Sequence, residues 1–322
     1  MDRRTFKKVA AAFSTSVLFP NLARANNPLP KVVKIVVPFS PGGSNDVFAR
    51  ALADQLSQEL STTFIVENKP GAGGAMGSAQ VAKSAPDGST WLLTSNSIVT
   101  SYAVTAKPTY HPSTSFEHVA ILNRGPCLVV VNSKRSYQGL ESFFTDAKKG
   151  NIKNYGSAGI GSSAHLAGEM LNDGLKTEML HVPYKGIANV AVDIAGDNVD
   201  MVITTPASVS GQIKAGVLRP IGVTSLENSH FFPKMEPVSQ YINNYSVEAW
   251  WGVFTPAGTP KNIVEFMNKK INEVASKQSM SKLFQNESTI ATSLTLDEAR
   301  KFVINDQERW KQIAKNRNIQ SI

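Results

Sequence analysis

Residues 32–60 read VVKIVVPFSPGGSNDVFARALADQLSQEL. The first six residues are mostly Val and Ile, which favour a β-strand, and a turn rich in Pro, Gly and Ser follows them. The rest of the stretch carries large apolar side chains every four positions, at Phe48, Leu52, Leu56 and Leu60. This spacing predicts an amphipathic helix, so the stretch reads as a strand–loop–helix unit of an α/β sheet.

The same alternation of short apolar runs and helical patterns continues along most of the chain. We predict strands in six such runs, over residues 32–37, 64–67, 91–93, 128–131, 201–203 and 218–223. Near the C-terminus, Thr259-Pro260 begins a helix to about residue 275, and the capping box Thr295-x-x-Glu298 begins the last helix. Because the strand runs are apolar on both faces, we predict a doubly wound α/β architecture with largely parallel sheets covered by helices.

The size and composition of the chain indicate two lobes. Its 322 residues are too many for one ordinary core, and 42% hydrophobic with 18% charged residues is typical of a globular protein. We find no low-complexity segment that could serve as a linker. A two-lobed chain without a linker suggests that one lobe is inserted into the other.

The N-terminus has the composition of an export signal. Basic residues stand at positions 3, 4, 7 and 8, an apolar stretch covers residues 9–19, and Ala23-Arg24-Ala25 is a small-x-small cleavage pattern. The apolar stretch is too short for a permanent membrane helix, which needs about 20 residues. We predict that residues 1–25 are removed after export by either a twin-arginine or a Sec route.

The remaining charge gives little support for binding nucleic acid. Residues 1–25 hold five basic and one acidic residue, so the mature chain keeps 28 basic and 24 acidic residues, without a basic run longer than two. The single cysteine, Cys127, cannot form an internal disulfide and lies in an apolar strand pattern. The five histidines show no metal-ligand spacing, so we expect no metal and no cofactor.

Two glycine- and serine-rich loops carry the clearest functional signal. The first pincer loop covers residues 38–46 (PFSPGGSND), and the second covers residues 156–165 (GSAGIGSSAH). Each follows a strand and opens a helix, where glycine permits close backbone approach and free N–H groups favour an anion. One such turn serves packing alone in many proteins, but two of them, one per predicted lobe, would enclose a ligand.

Other interpretations of these segments fit less well. Neither loop contains the Gly-Lys-Ser/Thr of a phosphate-binding loop, and residues 71–77 (GAGGAMG) miss the dinucleotide fingerprint by one residue. Ser162 and His165 could serve a hydrolase, but no nucleophile-elbow motif surrounds the serine, and no acid is evidently paired with the histidine.

Six motifs in register resemble the Bug family of periplasmic receptors, the substrate-binding components of tripartite tricarboxylate transporters. The motifs are the first pincer loop, residues 66–74 (VENKPGAGG), residues 85–88 (APDG), residues 155–165, residues 181–186 (HVPYKG) and residues 250–260 (WWGVFTPAGTP). The similarity covers essentially the whole mature chain. It implies a two-lobed flytrap fold, with lobe 1 formed by residues 26–122 and 247–322 and lobe 2 by residues 123–246.

The resemblance also implies the function. A periplasmic receptor of this family binds a small carboxylate between its lobes and delivers it to integral-membrane transporter subunits; we expect a monomer and no enzymatic activity. The ligand-binding residues carried over are Phe39, Ser40, Ser44, Asn45, Asp46, Ser95, Ser97, Gly159, Ser162, Ser163, Ala164, His165, Thr204, Thr205 and Ser208. The alternatives are a receptor that reports ligand to a membrane signalling protein and a periplasmic serine hydrolase.

The sequence departs from the pattern of many relatives in two places. Thr204-Thr205 stands where Asp-Asn is common, which removes a carboxylate that could pair with an amino group or repel additional acid groups of a ligand. Trp251 is also unusual and reads either as an aromatic wall of the site or as a buried strand residue. Tyr184 and Lys185 fall on a further turn facing the cleft, although a surface role for Lys185 is equally compatible with the sequence.

Overall fold

A computed structural model describes residues 27–137, 139–316 and 319 of the chain. The predicted export signal, residues 1–25, lies outside the described residues, and its cleavage stays a prediction. Within the described part, no helix combines the length and the apolar character needed to cross a membrane.

Strands and helices alternate through the described residues. The strands are β1 (Val32–Val37), β2 (Thr63–Asn68), β3 (Thr90–Ser95), β4 (Phe116–Pro126), β5 (Leu128–Asn132), β6 (Asn154–Ser157), β7 (Leu180–Pro183), β8 (Met201–Thr204), β9 (Leu218–Val223), β10 (Glu248–Pro256) and β11 (Ile290–Ala291). The α-helices are α1 (Ser44–Glu59), α2 (Ala75–Ala82), α3 (Ser97–Val104), α4 (Leu140–Lys148), α5 (Ser163–Leu175), α6 (Ile187–Ala195), α7 (Pro206–Lys214), α8 (Lys261–Ala275), α9 (Gln278–Asn286) and α10 (Leu296–Asn316). A short 3₁₀ turn covers Ala72–Gly74.

The predicted elements are confirmed. All six predicted strands are present, and the bounds of β1 and β9 match the prediction residue for residue. Helix α1 buries Phe48, Leu52 and Leu56 completely, so the four-residue spacing did mark the face that packs on the sheet. Each such side chain contributes roughly 1.5–3 kcal/mol on burial. The capping box also forms, because the Glu298 N–H donates to Thr295 Oγ1 at 3.3 Å and the Thr295 N–H donates to Glu298 Oε2 at 2.8 Å.

Two sheets organise the molecule, which confirms the prediction of a two-lobed α/β fold. A six-stranded sheet has the order β11-β4-β10-β3-β1-β2, and a five-stranded sheet has the order β7-β6-β8-β5-β9. We refer to the units built on them as the first and second lobes. The chain changes sheets at Cys127 and again between Val223 and Glu248. The residue-by-residue lobe bounds at 122 and 247 stay a prediction.

The expectation of largely parallel sheets is wrong in detail, because both sheets are mixed. Strand β1 pairs in parallel with β2 and β3, and β6 pairs in parallel with β7 and β8. Strand β10 is antiparallel to β3 and β4, and β5 is antiparallel to β8 and β9. A helical crossover returns the chain to the same end of a sheet and gives parallel strands. The strands that pass between the lobes lack such a crossover, and they run antiparallel.

An aromatic cluster fastens α1 to the strand that returns from the second lobe. Phe48 meets Trp251 edge to face at 4.8 Å between ring centroids and meets Phe284 at 5.8 Å. All three side chains are fully buried. The start of α1, which follows the first pincer loop, is therefore held against β10.

Candidate functional site

A cavity lies between the two sheets, at the carboxyl ends of β1, β3, β6 and β8. Its volume is about 60 Å³, and it is lined by Phe39, Ser40, Pro41, Gly43, Ser44, Asn45, Ser95, Ser97, Cys127, Ala158, Ser162, Ser163, Ala164, Ala167, Gly186, Ile187, Ala188, Ile203, Thr204, Thr205, Ser208, Ala249 and Trp251. Ligands of open α/β folds bind at the carboxyl ends of strands, so the location is the expected one.

Among the described residues, five helices begin at this cavity. Their N-cap residues are Gly43 for α1, Asn96 for α3, Ser162 for α5, Gly186 for α6 and Thr205 for α7. Four of these caps make no side-chain hydrogen bond to the helix, and Ser162 is the exception. Each helix start carries a partial positive charge of about half a unit, because its first N–H groups have no partner within the helix. The cavity therefore has a positive electrostatic character that its side chains do not reveal.

Side-chain charge is missing from the wall itself. Among the described residues, those that line the cavity include no Asp, Glu, Lys, Arg or His. Serine and threonine hydroxyls supply most of the polar side-chain atoms. A hydroxyl can donate or accept a hydrogen bond, so the wall can bind an anion with hydrogen bonds and helix ends but without an ion pair.

A carboxylate fixes the first pincer loop from behind. Asp46 Oδ2 accepts hydrogen bonds from the Gly42 N–H at 3.1 Å and from Arg50 Nε at 3.0 Å. Asn68 Nδ2 donates to Asp46 Oδ1 and to the Phe39 carbonyl, both at 3.0 Å. Burial alone would raise the pKa of Asp46, but the hydrogen bonds from Arg50 and Asn68 outweigh burial and lower it. Asp46 thus stays ionised, and together with Asn68 it holds the loop at Phe39 and Gly42 against α1 and β2.

Neutral imidazoles support the second pincer loop. His165 Nδ1 accepts a hydrogen bond from the Gly161 N–H at 3.1 Å, and its ring stacks on His181 at 3.9 Å between centroids. His181 Nε2 lies 2.6 Å from Ser157 Oγ, which also accepts from the Gly159 N–H at 3.1 Å. Burial lowers the pKa of His165 to about 4, and burial together with the neighbouring His165 lowers that of His181 to about 3. Both rings are therefore neutral at pH 7.

Hydroxyl groups connect the lobes across the cavity. Ser44 Oγ at the start of α1 lies 2.5 Å from Thr205 Oγ1 and 3.1 Å from Ser208 Oγ. On another side, Thr100 Oγ1 and Ser101 Oγ donate to the Gly161 carbonyl at 2.7 and 3.2 Å. Both pincer loops are thus in contact with the opposite lobe.

The structure brings most of the predicted site residues together. Those that line the cavity are Phe39, Ser40, Ser44, Asn45, Ser95, Ser97, Ser162, Ser163, Ala164, Thr204, Thr205 and Ser208. Three others do not line it and act behind the loops. Asp46 and His165 have the supporting bonds described above, and Gly159, with a positive φ of 117°, lines a second cavity together with Lys185 and Tyr184.

Several lining residues were not on the predicted list. The start of α6, at Gly186, Ile187 and Ala188, is a third strand–loop–helix turn, and its glycine in the motif HVPYKG was the available signal. Trp251 is a buried strand residue, only 1% exposed, and it also lines the cavity. Both interpretations of its position in the sequence therefore apply. Cys127 and Ala249 come from the strands that pass between the lobes, and no local pattern marks them.

Two α/β lobes enclosing a cavity at their strand ends define the fold of a periplasmic solute-binding protein. The periplasmic binding protein BugD has a TM-score of 0.83 with this chain at 29% identity, over 90% of this chain and 98% of that chain. A solved structure of R. palustris Rpa4515 with adipate has a TM-score of 0.85 at 26% identity, over 91% of this chain and 99% of that chain.

Sequence comparison gives the family. Residues 48–319 match the family described as "Tripartite tricarboxylate transporter family receptor". A curated relative, the "UPF0065 protein in tcbD-tcbE intergenic region" of Pseudomonas sp. (strain P51), is 32% identical over 275 residues, which cover 84% of this chain and 81% of the relative. The chain belongs to the tripartite tricarboxylate transporter family of receptors. The resemblance to Bug proteins is thereby confirmed.

Proposed function

We propose that this receptor binds a small organic carboxylate in the cavity between its lobes and delivers it to the integral-membrane subunits of a tripartite transporter. The observation that carries the proposal is the convergence of five helix starts on a cavity whose described wall has no charged side chain. Such a site favours a small anion, because helix N-termini and hydroxyls stabilise negative charge without a counter-ion. The adipate in the R. palustris relative is a carboxylate of this kind.

Binding would be coupled to closure of the lobes. Ser44 contacts Thr205 and Ser208 of the opposite lobe, and a ligand between the pincer loops would add contacts to both sides. A ligand that contacts both lobes favours the closed arrangement by its differential affinity. The receptor would work in the periplasm as a monomer after removal of residues 1–25.

The geometry does not favour catalysis at the candidate serine. Ser162 Oγ accepts a hydrogen bond from the His165 backbone N–H at 3.3 Å, which is a helix cap. The His165 Nδ1 atom accepts from Gly161 instead of activating the serine. A serine nucleophile needs an imidazole base within hydrogen-bond reach, so we propose a binding protein rather than a hydrolase.

Native mass spectrometry of the protein purified from the periplasm tests this function. We expect a chain that begins at or near Asn26 and retains a small carboxylate, or that gains one from a panel of carboxylates. Small-angle scattering should then show a smaller radius of gyration with ligand. A chain that binds no carboxylate of the panel, or that begins at Met1 on the membrane, would contradict the proposal.

A matched pair of variants at Thr204 tests whether the ligand is an anion held at this wall. Thr204→Asp and Thr204→Asn have nearly the same shape, but only the first adds a negative charge to the lining. Two like charges about 5 Å apart repel by roughly 3 kcal/mol at an effective dielectric constant of 20. We expect the Asp variant to bind at least about tenfold more weakly than the Asn variant. Equal affinities would mean that no anion lies near Thr204.

A further inference from the structure

One buried hydrogen-bond donor of the cavity has no acceptor in the protein. Trp251 lines the cavity, and within the described part of the chain its indole Nε1–H has no partner. Proteins pair nearly all buried polar groups, because an unpaired one is costly. Trp91 and Trp250 follow this rule, since their Nε1 atoms donate to a backbone carbonyl at 2.8 Å and to Asp306 Oδ2 at 2.7 Å. Trp310, which does not line the cavity, has its indole beside the same carboxylate.

Resting on the proposed function, we infer that Trp251 determines specificity, because its indole N–H donates to an oxygen of the bound ligand. The ligand would carry this acceptor oxygen in addition to the carboxylate that the helix starts bind. A hydroxyl, a carbonyl or a second carboxylate group would each supply it. The preferred class is therefore an oxygen-substituted carboxylate, and an unsubstituted alkyl carboxylate is rejected.

The hydroxyl groups of the lining do not require such an acceptor. Ser44 Oγ lies 2.5 Å from Thr205 Oγ1, which in turn lies 3.0 Å from Ser208 Oγ. Ser95 Oγ donates to Ser97 Oγ at 3.2 Å. A hydroxyl can rotate and can donate or accept, whereas an indole N–H is fixed in its ring and can only donate. A ligand without an acceptor therefore leaves the indole unpaired, while the hydroxyls keep their partners.

Packing and strand pairing fix the position of the indole. Its ring meets Phe48 edge to face at 4.8 Å between centroids. Trp251 lies on β10 opposite Ser95 of β3 and Asn123 of β4, and the register with β4 shifts directly after it. Irregularities of this kind re-aim side chains beside binding sites. The donor therefore comes from a strand, and it is additional to the N–H groups of the helix starts.

Asn45 supplies the other buried side-chain atom of the lining, Oδ1, that has no partner among the described residues. Asn45 precedes Phe48 by three residues on α1, so their side chains share one face of the helix. Because Phe48 contacts Trp251, this face is the one turned toward the indole. An amide carries both an acceptor and donors, so Asn45 can adapt to more than one kind of ligand group. The indole cannot adapt, and it therefore sets the stricter requirement.

Calorimetric titration of the wild type and of Trp251→Phe with matched ligands tests the inference. Phenylalanine keeps an aromatic ring beside Phe48 but has no N–H. The ligands are butyrate, its 2-, 3- and 4-hydroxy derivatives, 2-oxobutyrate and succinate, with the same sets for chains of three, five and six carbons. We expect the wild type to bind the best oxygen-substituted ligand at least about tenfold more tightly than the unsubstituted carboxylate of equal length, because the latter leaves a buried donor unpaired. Trp251→Phe should reduce this preference by about fivefold or more.

Trp91→Phe is the matched control. It makes the same change at a buried tryptophan that does not line the cavity. The preference among ligands should stay within about twofold of wild type, while the melting temperature falls because the Gly88 carbonyl loses its donor. Trp251→Phe removes an N–H that has no acceptor among the described residues, so it should lower the melting temperature of the ligand-free protein less than Trp91→Phe does.

Nuclear magnetic resonance of the wild-type protein with isotope-labelled tryptophan gives a second measurement that does not depend on a variant. The indole N–H signal of Trp251 should move on binding of an oxygen-substituted ligand by more than the signals of Trp91 and Trp250, whose N–H groups already have acceptors. It should move less with the unsubstituted carboxylate.

The possible results separate the inference from the proposed function. The inference is wrong, while a carboxylate receptor remains, if Trp251→Phe keeps the wild-type preference or weakens the binding of substituted and unsubstituted ligands equally. An indole signal of Trp251 that stays in place on saturation has the same meaning. If the wild type binds none of these carboxylates at any chain length, both the inference and the proposed function are wrong.

Discussion

The two pincer loops share a local design but are held in place by opposite kinds of chemistry. Each follows a strand end with glycines and the first turn of a helix. An ionised carboxylate, Asp46, supports the first loop, while the neutral imidazoles of His165 and His181 support the second. In both cases the supporting groups lie behind the loop and not in the lining of the cavity. The molecule thus keeps formal charge out of the lining of the cavity, and we expect each loop to have its own sensitivity to mutation and pH.

The largest expected effect on ligand affinity comes from a substitution at Gly73, in the 3₁₀ turn that packs on the second pincer loop. A Cβ atom at Gly73 would lie 2.2 Å from the Ile160 carbonyl oxygen and 2.8 Å from the Ser162 nitrogen. Gly73→Val should therefore prevent the two lobes from meeting and weaken binding by more than about a hundredfold, or about 2.7 kcal/mol. Titration of the variant with a bound carboxylate checks this.

Gly42→Val in the first loop is the matched control. Gly42 also has a positive φ, of 87°, but a Cβ atom there has no neighbour within 4 Å among the described residues. The Gly42→Val variant should lose only the roughly 1–2 kcal/mol of stability that backbone strain costs. Its ligand affinity should stay within about tenfold of wild type. If Gly73→Val binds as well as Gly42→Val, contact between the loop and the turn is not needed for the site.

The imidazole support makes stability depend on pH. The pKa values of His165 and His181 are about 4 and 3 in the folded protein, below the ordinary value of about 6.5, so the unfolded chain binds more protons between these values. Stability is complete above about pH 6.5 and falls as the pH drops toward 4, by up to about 1.4 kcal/mol per pH unit for each histidine. His118, whose pKa burial also lowers to about 4, adds to the same loss.

Melting curves between pH 7 and pH 5 measure this dependence. The double variant His165→Asn, His181→Gln should lose a large part of the pH slope, because only His118 would remain of the three. His230→Gln, at an exposed histidine outside the second loop, is the control for the loss of an imidazole. An unchanged slope in the double variant would contradict the account of the second loop.

Loss of the carboxylate support should have a smaller effect on the first loop. Asp46→Ala leaves the Gly42 N–H, the Arg50 guanidinium and the Asn68 amide without their shared acceptor. We expect the free energy of unfolding to fall by about 2–3 kcal/mol and affinity to fall by about tenfold. Asp54→Ala, on the exposed face of the same helix, should change stability by less than about 0.5 kcal/mol. Denaturant unfolding of both variants provides the comparison.

The smallest expected effect belongs to Lys185. From the sequence, Lys185 could lie on a turn facing the cleft or on the surface, and in the structure it lines the second cavity and is exposed. Lys185→Ala should change affinity by less than about twofold, as is usual for a solvated charge remote from the ligand. A loss of tenfold or more in calorimetry would mean that the carboxylate is held by an ion pair.

The sequence predicted local units well and contacts between distant residues poorly. The run before Pro38 and the spacing of Phe48, Leu52 and Leu56 contain their own signals, since β propensity and helical periodicity act over a few residues. The wall formed by Cys127 and Ala249 contains no such signal. These two residues meet only because the chain passes twice between the sheets, which no short pattern encodes.

The absence of Asp46 and His165 from the lining of the cavity has the same cause. Asp46 and His165 are polar residues in pincer loops, so their types suggested contact with ligand. Their partners Asn68 and His181 lie 22 and 16 residues away in sequence, so the loops alone contain no signal for these contacts. The convergence of the helix dipoles that start at Gly186 and Thr205 could not be predicted either, because it depends on the directions of the helices and not on residue type.

The dependence of affinity on ionic strength tests the central claim most directly, namely that helix ends and hydroxyls hold a carboxylate without an ion pair. The measurement is a calorimetric titration of the wild-type protein with its best carboxylate, at about 10 mM and about 500 mM salt, over which the screening length falls from about 30 Å to a few ångströms. Short hydrogen bonds inside a cavity between closed lobes are poorly screened, so we predict dissociation constants that agree within about threefold. A loss of affinity greater than about tenfold at high salt would contradict the account and would show that solvent-exposed charges hold the ligand.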